Sequence, residues 1–379
     1  MNNKITALCV GTALTMLPAA GFSAGISTIE DIKNIVHPGV ITGKKMELYG
    51  AVRVSVDYAD SDVSSAEAEG GDLLTDGGLS VSSNTSMIGF RGEVPYNDKV
   101  IFLWQYEQQV DIDDKDEGDT WTTRDSFLGL KTPVGRFLVG RVNTPFKNMS
   151  TEYALYFASS VGESRSILGA PSSGAGAHVD LMGANSLNWR FQYRRVNFAL
   201  QYSADQSGSV NAVDDNDRDS TSAWLDWKGE HLQLSGAYIH YSDFFATGKL
   251  EGYRAFAKYT MGPVTLGAIY EDLQPEQFNA LDREAYGAQV TYRYLPRWVL
   301  VGQWNHADES ERGDDAADQY SLGLFHHLSK QVLLHGMLTH TDNDGQGTYR
   351  AVNYAHGDKV ATLPGRDPWA ISVGAQLRF

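Results

Sequence analysis

The alternation of apolar and polar residues with a period of two is the feature that most constrains the fold of this chain. In the stretch WAISVGAQLRF, one face of an extended strand would carry Trp369, Ile371, Val373, Ala375, Leu377 and Phe379. Equivalent alternation recurs in the stretches 46–58, 100–107, 187–193, 196–203 and 286–293. Period two is the side-chain repeat of a β-strand, not of a helix. The pattern therefore predicts an all-β protein.

The connectors between these strands are alternately short and long. The short connectors are tight turns at 94–98, 132–135, 194–195, 229–230, 261–263, 295–297 and 328–330. The long connectors are polar and acidic, and they lie at 111–119, 204–219, 307–318 and 341–367. This alternation indicates antiparallel hairpins whose two ends face different compartments.

Repeated amphipathic strands fit either a soluble sandwich or barrel, or a transmembrane barrel. Two observations favour the transmembrane barrel. Tyr and Trp residues such as Tyr58, Tyr106, Trp227 and Trp298 sit near strand ends, as in the aromatic girdles of membrane barrels. The polar faces also carry charges in mid-strand, which a dry core disfavours unless each charge is paired. A closed barrel leaves no backbone group unpaired, as lipid requires.

The length of the chain predicts the size of the barrel. With spanning segments of about 10 residues plus connectors, the region from Lys45 to Phe379 holds about sixteen strands. A barrel of that size encloses an aqueous channel. The predicted fold is therefore a transmembrane antiparallel β-barrel of about sixteen strands.

The first residues predict export from the cytoplasm. Residues 1–24 have the form of a signal peptide, with Lys4 before an apolar run and small residues where cleavage is expected, between 20 and 25. The only cysteine, Cys9, lies inside this segment, so we expect a mature protein without disulfides or thiolate ligands. A net charge of −16 disfavours nucleic acid as a partner.

Residues 25–45 are predicted to form an N-terminal extension before a pore domain at 46–379. Ile29 and Ile32 have helical spacing, and Ser27 or Thr28 is a suitable N-cap for a short periplasmic or lumen-inserted helix. A flexible tail is the favoured interpretation.

Several motifs resemble those of the general bacterial porins of Gram-negative outer membranes. They are MELYGAVRV at the first strand, SMIGFRGEV (86–94), SFLGLKTPVGRFLVGR (126–141), NFALQY (197–202) and the terminal VGAQLRF. The resemblance implies a homotrimer in which each subunit is a pore, embedded among outer-membrane lipid and lipopolysaccharide. It also implies that the last strand closes the barrel against the first, and that Phe379, Leu377 and Val373 are a signal for the barrel assembly machinery.

The porin resemblance further implies an inward-folded third extracellular loop, here roughly Asn143 to Gly183. Its acids Glu152, Glu163 and Asp180 would then face arginines on the barrel wall. Such facing charges set up a field that orients solutes and filters ions.

Four arginines are candidates for that wall. Arg141 matches the Gly-Arg of the family at the end of the fifth strand, and Arg91 matches the basic residue of its Gly-Phe-Lys/Arg-Gly motif. Arg53 and Arg190 are assigned to the lumen by alternation alone. Met87 stands where the family often has arginine, and no arginine occupies the start of the sixth strand. The row of wall arginines is therefore expected to be weaker here than in the family.

These features predict a non-enzymatic outer-membrane channel for the passive diffusion of small hydrophilic solutes, without cofactor or metal. The alternative is a substrate-selective channel with an affinity site on the third loop. The aromatic residues Tyr153, Tyr156 and Phe157 would stack on a solute in that case, whereas packing against the wall is the favoured role. The acidic loops predict a weak preference for cations, which lumen-facing arginines oppose.

Overall fold

The structure, a computed structural model, describes residues 45–64, 77–113, 121–173, 178–204, 218–245, 247–353, 356–357 and 359–379. Met46–Phe379 form one compact unit. The predicted signal peptide, the extension before Lys45 and much of the acidic connectors at 111–119 and 204–219 lie outside the described residues. Within the described ranges, no helix has the length and apolar character that a membrane-spanning helix needs.

Sixteen long strands and two short ones make up the sheet in the part of the chain that the structure describes. The strands, of which β2 and β5 are the short ones, are β1 (Lys45–Asp60), β2 (Gly78–Ser83), β3 (Met87–Asn97), β4 (Val100–Val110), β5 (Trp121–Thr123), β6 (Ser126–Thr132), β7 (Gly135–Asn143), β8 (Met182–Tyr193), β9 (Val196–Ser203), β10 (Ser220–Lys228), β11 (Leu232–Tyr241), β12 (Leu250–Met261), β13 (Val264–Pro275), β14 (Arg283–Leu295), β15 (Trp298–Ala307), β16 (Ala317–His327), β17 (Val332–Asn343) and β18 (Trp369–Arg378). The helices are α1 (Pro145–Tyr153) and two 3₁₀ turns, Ser164–Ser166 and Asn279–Leu281.

The sheet closes on itself, because β1 pairs antiparallel with β18 as well as with β3. Val52 lies opposite Leu377 and Val56 opposite Val373. Beyond them, Gly50 N–H donates to the Phe379 carbonyl at 3.0 Å, and Phe379 N–H donates to the Gly50 carbonyl at 3.1 Å. The predicted closed barrel of sixteen spanning strands is confirmed. The short strands β2 and β5 pair with β1 and β4, respectively, at the end of the long loops.

The two faces of the strands differ as the alternation predicts. Large apolar side chains such as Val139, Leu187 and Leu225 are exposed on the outer face, whereas the inner face buries polar residues such as Asn188 and Gln201. The outer face therefore suits lipid and the inner face suits water or a polar packing partner.

The short connectors are turns as predicted, while one long connector begins later than expected. Strand β17 continues to Asn343 because Thr341 pairs with Gln319 and Asn343 with Ala317. The loop between β17 and β18 thus starts at Asp344 rather than at Thr341.

Candidate functional site: a pore narrowed by two inward loops

The segment between β7 and β8, residues 144–181, folds into the barrel and is called the inward loop below. It opens with α1, whose N-cap Thr144 accepts a hydrogen bond from Lys147 N–H at 3.2 Å and is followed by Pro145 at the first helical position. Both residue types favour a helix start. Phe146, Met149 and Tyr153 recur at helical spacing and are buried, packed with Ile239, Leu273 and other side chains of the barrel wall. The predicted inward fold of this loop is therefore what the structure shows.

Two arginines of the barrel wall hold the inward loop through a cluster of four fully buried charges. Arg254 on β12 pairs with Asp180 of the loop and, at 2.5 Å, with Glu271 on β13. Arg283 on β14 lies 3.7 Å from Glu271 and donates to the carbonyl oxygens of Ile167 and Ala170 at 2.6 Å. All four side chains have no solvent exposure. We call Asp180, Arg254, Glu271 and Arg283 the anchor cluster.

The backbone of the inward loop also forms hydrogen bonds with the anchor cluster. Gly169 N–H donates to Glu271 Oε1 at 2.6 Å, and the Arg254 guanidinium lies 3.9 Å from the ring centre of Phe146. Two positive and two negative charges balance one another, and each side chain makes at least one hydrogen bond. Among the described residues, Arg254 Nη2 and Arg283 Nε and Nη1 have no hydrogen-bond partner, so the charge balance is what keeps the cluster stable away from water.

The aromatic residues of the loop pack against the wall, as favoured above. Tyr153 and Phe157 are buried, and Tyr156 packs against Phe325 with the rings tilted and their centres 4.9 Å apart. Glycines on the wall make the room: a Cβ at Gly287 would come within 2.5 Å of Tyr153 Oη, and one at Gly323 within 3.2 Å of Phe157. Tyr153 and Phe157 therefore present no ring face to a passing solute.

A second loop also folds inward, which the sequence did not lead us to expect. It lies between β17 and β18 at residues 344–368, and it buries Tyr349, Ala351 and Val352. Gly162 N–H donates to the Ala351 carbonyl at 3.1 Å, and Thr348 N–H and Oγ1 donate to the Ser172 carbonyl at 3.0 and 2.8 Å. The apolar pair Ala351-Val352 beside Tyr349, inside an otherwise polar connector, is the sequence signal that could have predicted this burial.

The three predicted loop acids do not form one pore-facing row. Glu163 is fully buried against Arg165, and its Oε2 accepts from Ser159 N–H at 2.9 Å. Asp180 belongs to the anchor cluster. Glu152 is the most open of the three, with a side chain 24% exposed, and it lies 3.2 Å from Lys228 and 3.4 Å from Lys258 on the wall. The expectation that Glu163 and Asp180 face the open pore is therefore wrong, because burial and pairing with loop and wall arginines hold them inside.

Arg53 has the polar surroundings of a pore residue. Its Nε is buried without a hydrogen-bond partner among the described residues. Glu107 and Glu163 attract it, whereas Arg124 and Arg378 repel it. Glu107 is already bonded to Arg124 at 2.9 Å and to Tyr49 Oη at 2.8 Å, and Glu163 is bonded to Arg165. The charge of Arg53 is thus not matched by an acid of its own.

The other predicted wall residues are spread along the barrel. Arg91 pairs with Glu47 at 2.8 Å with its side chain half exposed, and Met87 begins the same strand at the end of the long loops. Arg190 donates from Nε to Asn188 Oδ1 at 2.9 Å. Arg141 is half-buried beside an irregularity in the β7–β8 register at Gly140 and Val142, and its Nε finds no hydrogen-bond partner among the described residues.

Three further cations were missed because they do not lie on regular strands. Arg124 follows β5, Lys147 lies on α1, and Arg165 lies in the first 3₁₀ turn. Burial, together with the neighbouring Arg165 guanidinium, lowers the pKa of the Lys147 amino group to about 7. The tertiary arrangement of the inward loop brings Lys147 and Arg165 towards the wall, whereas Arg124 lies between β5 and β6.

The loop histidine His178 is held neutral beside the anchor cluster. Burial lowers its pKa to about 3. Its Nδ1 accepts from Asp180 N–H at 2.9 Å, and its Nε2 lies 2.8 Å from the Arg165 carbonyl. A neutral ring with the proton on Nε2 satisfies both contacts, so His178 positions Asp180 rather than adding charge.

Metal-ligand geometry occurs in one group among the described residues. Carboxylate oxygens of Glu309, Asp314 and Asp344 lie within 4.8 Å of one another, and all three residues are exposed. Exposed acidic groups of this kind are common on loops, and this group lies among the long loops, apart from the charges at the pore.

Comparison with known proteins agrees with this architecture. A family model described as Gram-negative porin matches residues 12–346. The major outer membrane protein P.IB of Neisseria gonorrhoeae is 33% identical over 323 residues, which cover 75% of this chain and 85% of the relative.

Solved porin structures share the fold. An anion-selective porin from Comamonas acidovorans superposes with a TM-score of 0.75 at 19% identity, over 89% of this chain and 100% of that chain. The trimer form of OmpT of Vibrio cholerae superposes with a TM-score of 0.62 at 15% identity, over 89% of this chain and 99% of that chain. From the closed barrel, the inward loops and these matches, we conclude that the chain belongs to the Gram-negative porins, which are non-enzymatic channels for passive diffusion across the outer membrane.

Proposed function

We propose that this porin passes small hydrophilic solutes through a pore narrowed by both inward loops and that it prefers anions to cations. The observation that carries the charge preference is the environment of Arg53. The two acids that attract it, Glu107 and Glu163, are already paired with Arg124 and Arg165. Counting Arg378, which also lies close enough to repel Arg53, four cations meet two anions around this residue.

This proposal replaces the weak cation preference expected from the acidic loops. Charges on exposed loops are screened over about 8 Å at physiological salt, whereas charges beside a narrow path act on each passing ion at short range. Since Glu163 and Asp180 are buried in ion pairs, the acids that were expected to attract cations contribute little there. The anion-selective porin with the same fold gives the proposal a precedent.

We also propose that the chain assembles as a homotrimer, as the trimer form of the OmpT neighbour does. Sedimentation of the refolded protein in detergent tests this directly, and a monomeric particle that conducts normally would refute it. Contacts with lipopolysaccharide, and recognition of Phe379, Leu377 and Val373 by the assembly machinery, stay predictions.

The charge preference is tested by the reversal potential of the refolded protein in a planar bilayer under a KCl gradient. We expect a sign that reports chloride as the more permeant ion. Arg53→Gln is expected to reduce the chloride-to-potassium permeability ratio roughly two- to fivefold, since a unit charge a few Å from an ion in water is worth about 1 kcal/mol.

A matched control is Lys330→Gln, which removes the same charge from an exposed turn between β16 and β17. It should leave the permeability ratio unchanged. A potassium-selective wild type, or equal effects of the two substitutions, would contradict the proposal, whereas the assignment as a porin would stand.

A further inference from the structure

Three cations stand side by side on the lumen wall near the short turns. Lys131 on β6 lies directly opposite Arg136 on β7, and Arg136 lies directly opposite Arg190 on β8. On these strands Leu138 and Asn188 are buried within the barrel, while Val139 and Leu187 are exposed outside. Alternation therefore places all three cations on the lumen face. We call Lys131, Arg136 and Arg190 the basic row.

The basic row has no acid partner. Among the described residues, neither Lys131 nor Arg136 makes a side-chain hydrogen bond or ion pair, and the Arg190 Nε donates to the neutral Asn188 at 2.9 Å. Asp125 attracts Arg190 electrostatically, but its two oxygens already accept from Asn143 N–H at 2.8 Å and Nδ2 at 3.1 Å. Like charges directly opposite one another in a sheet are destabilising, so this arrangement lacks a stabilising counter-charge within the described chain.

A cavity of about 590 Å³ lies against the row. Its lining includes all three cations together with Lys228, and it contains no Asp or Glu. Asn148 of α1 and Trp224 of β10 complete the side facing the inward loop. Lys228 is paired with Glu152 at 3.2 Å and with Asp226 at 3.5 Å, so the space is bordered by the three cations of the basic row, amide groups and one indole.

We propose that the basic row is a binding subsite for small solutes that carry two oxyanion groups, such as a dicarboxylate or a diphosphate. Neighbouring positions on adjacent strands are about 5 Å apart, so three successive cations match two anionic groups joined by a short spacer. Arg136, in the centre, contacts both groups, and Lys131 and Arg190 each contact one. Arginine offers paired N–H donors that suit carboxylate and phosphate oxygens.

This inference rests on the proposed anion-preferring pore and gives its solutes a chemical class. A solute leaving the narrow part of the pore would meet the row before it reaches the short-turn end. The subsite raises the local concentration of such dianions in the channel, and it predicts a saturable flux that a plain diffusion pore does not show.

Single-channel current in KCl tests the subsite, with succinate, pyrophosphate or acetate added to the solution on the short-turn side. We expect succinate or pyrophosphate to reduce the chloride current in a saturable way, and acetate to have little effect. Arg136→Gln is expected to raise the half-blocking concentration about tenfold, the effect of losing one charge-assisted contact. Arg136→Lys should restore part of the block, and Lys330→Gln should leave it unchanged.

Each result of this experiment has a distinct meaning. Block by succinate, by pyrophosphate or by both, weakened by Arg136→Gln, supports the subsite and identifies the preferred anion. Block by neither, block equal to that of acetate, or block unaffected by Arg136→Gln overturns it. A chloride-selective wild type without row-dependent block would overturn this inference alone, whereas a potassium-selective wild type would overturn the proposed function itself.

Discussion

Arginine side chains have different roles on two sides of the lumen. On β12–β14, Arg254 and Arg283 are fully buried beneath the inward loop and balanced by Asp180 and Glu271. On β6–β8, Lys131 and Arg136 of the basic row are exposed and have no acid partners, and Arg53 on β1 is half-buried without an acid of its own. The same side chain is an anchor where it is buried and neutralised, and a source of electric field where it is not.

The difference follows from the free-energy cost of removing a charge from water. A buried charge is stable only when partners and hydrogen bonds replace its water, and the inward loop supplies those partners on one side alone. Where the loop leaves the wall wet, an unbalanced charge costs little because water screens it. The loop therefore divides one polar surface into a structural half and a functional half.

The largest expected effect comes from removing an anchor arginine. Arg254→Met should lower the free energy of unfolding by about 3–5 kcal/mol, the usual cost of leaving buried acids unpaired. Denaturant unfolding of the refolded protein measures it. Arg53→Met is the matched control, and it should change stability by less than about 1 kcal/mol, because no hydrogen bond of the side chain is lost. Equal destabilisation by both substitutions would remove the distinction between the two walls.

A smaller effect is expected where the loop packs against wall glycines. A Cβ at Gly287 would lie 2.5 Å from Tyr153 Oη and 2.7 Å from Asn305 Oδ1, so Gly287→Ala should cost about 1–3 kcal/mol as an overpacking substitution. The open-channel current of the Gly287→Ala variant should also become noisier, because the inward loop is displaced. At Gly302, on the same sheet, a Cβ meets nothing within 4 Å, and Gly302→Ala should be neutral in both measurements. A quiet, stable Gly287→Ala channel would show that Tyr153 does not hold the loop.

The smallest effect is a pH dependence at Lys147. Its pKa is lowered to about 7 by burial and by Arg165, so the group is charged below that pH and neutral above it. The chloride preference should therefore decline modestly as the pH rises from about 6 to about 8.5 across this pKa. Reversal potentials of the wild type and of Lys147→Gln at several pH values measure the change. A slope that persists in Lys147→Gln would assign the titration to another group.

The alternation of residues was enough to predict most of the fold. Val56 on β1 and Ile371 and Val373 on β18 are exposed on the outer face because each strand sends successive side chains to opposite sides. The alternating connector lengths then required antiparallel neighbours, and closure followed from the need to pair every backbone group in lipid. The short strands β2 and β5 were not predicted, since they lie in loops without a regular repeat.

The candidate site was only partly predictable. Alternation put Arg53 and Arg190 in the lumen, and the family motif located the inward loop. It did not reveal that Glu163 and Asp180 turn away from the pore. Arg254, the partner of Asp180, is 74 positions away in the chain, and Arg165, only 2 positions from Glu163, pairs with it in a buried turn that the strand repeat does not predict. The burial of Tyr349 in a second loop was likewise hidden within a polar connector.

The sequence by itself determined the strands, their two faces and the closed barrel, since these depend on a local repeat with a period of two. The tertiary structure alone decided which charges are neutralised and which remain to act on solutes. That choice depends on how Lys147, Arg165 and the anchor cluster meet across the lumen, and on which side chains the two inward loops remove from water. Burial, and the pairing of Asp180 with Arg254, depend on distances between elements, which a repeat with a period of two does not determine.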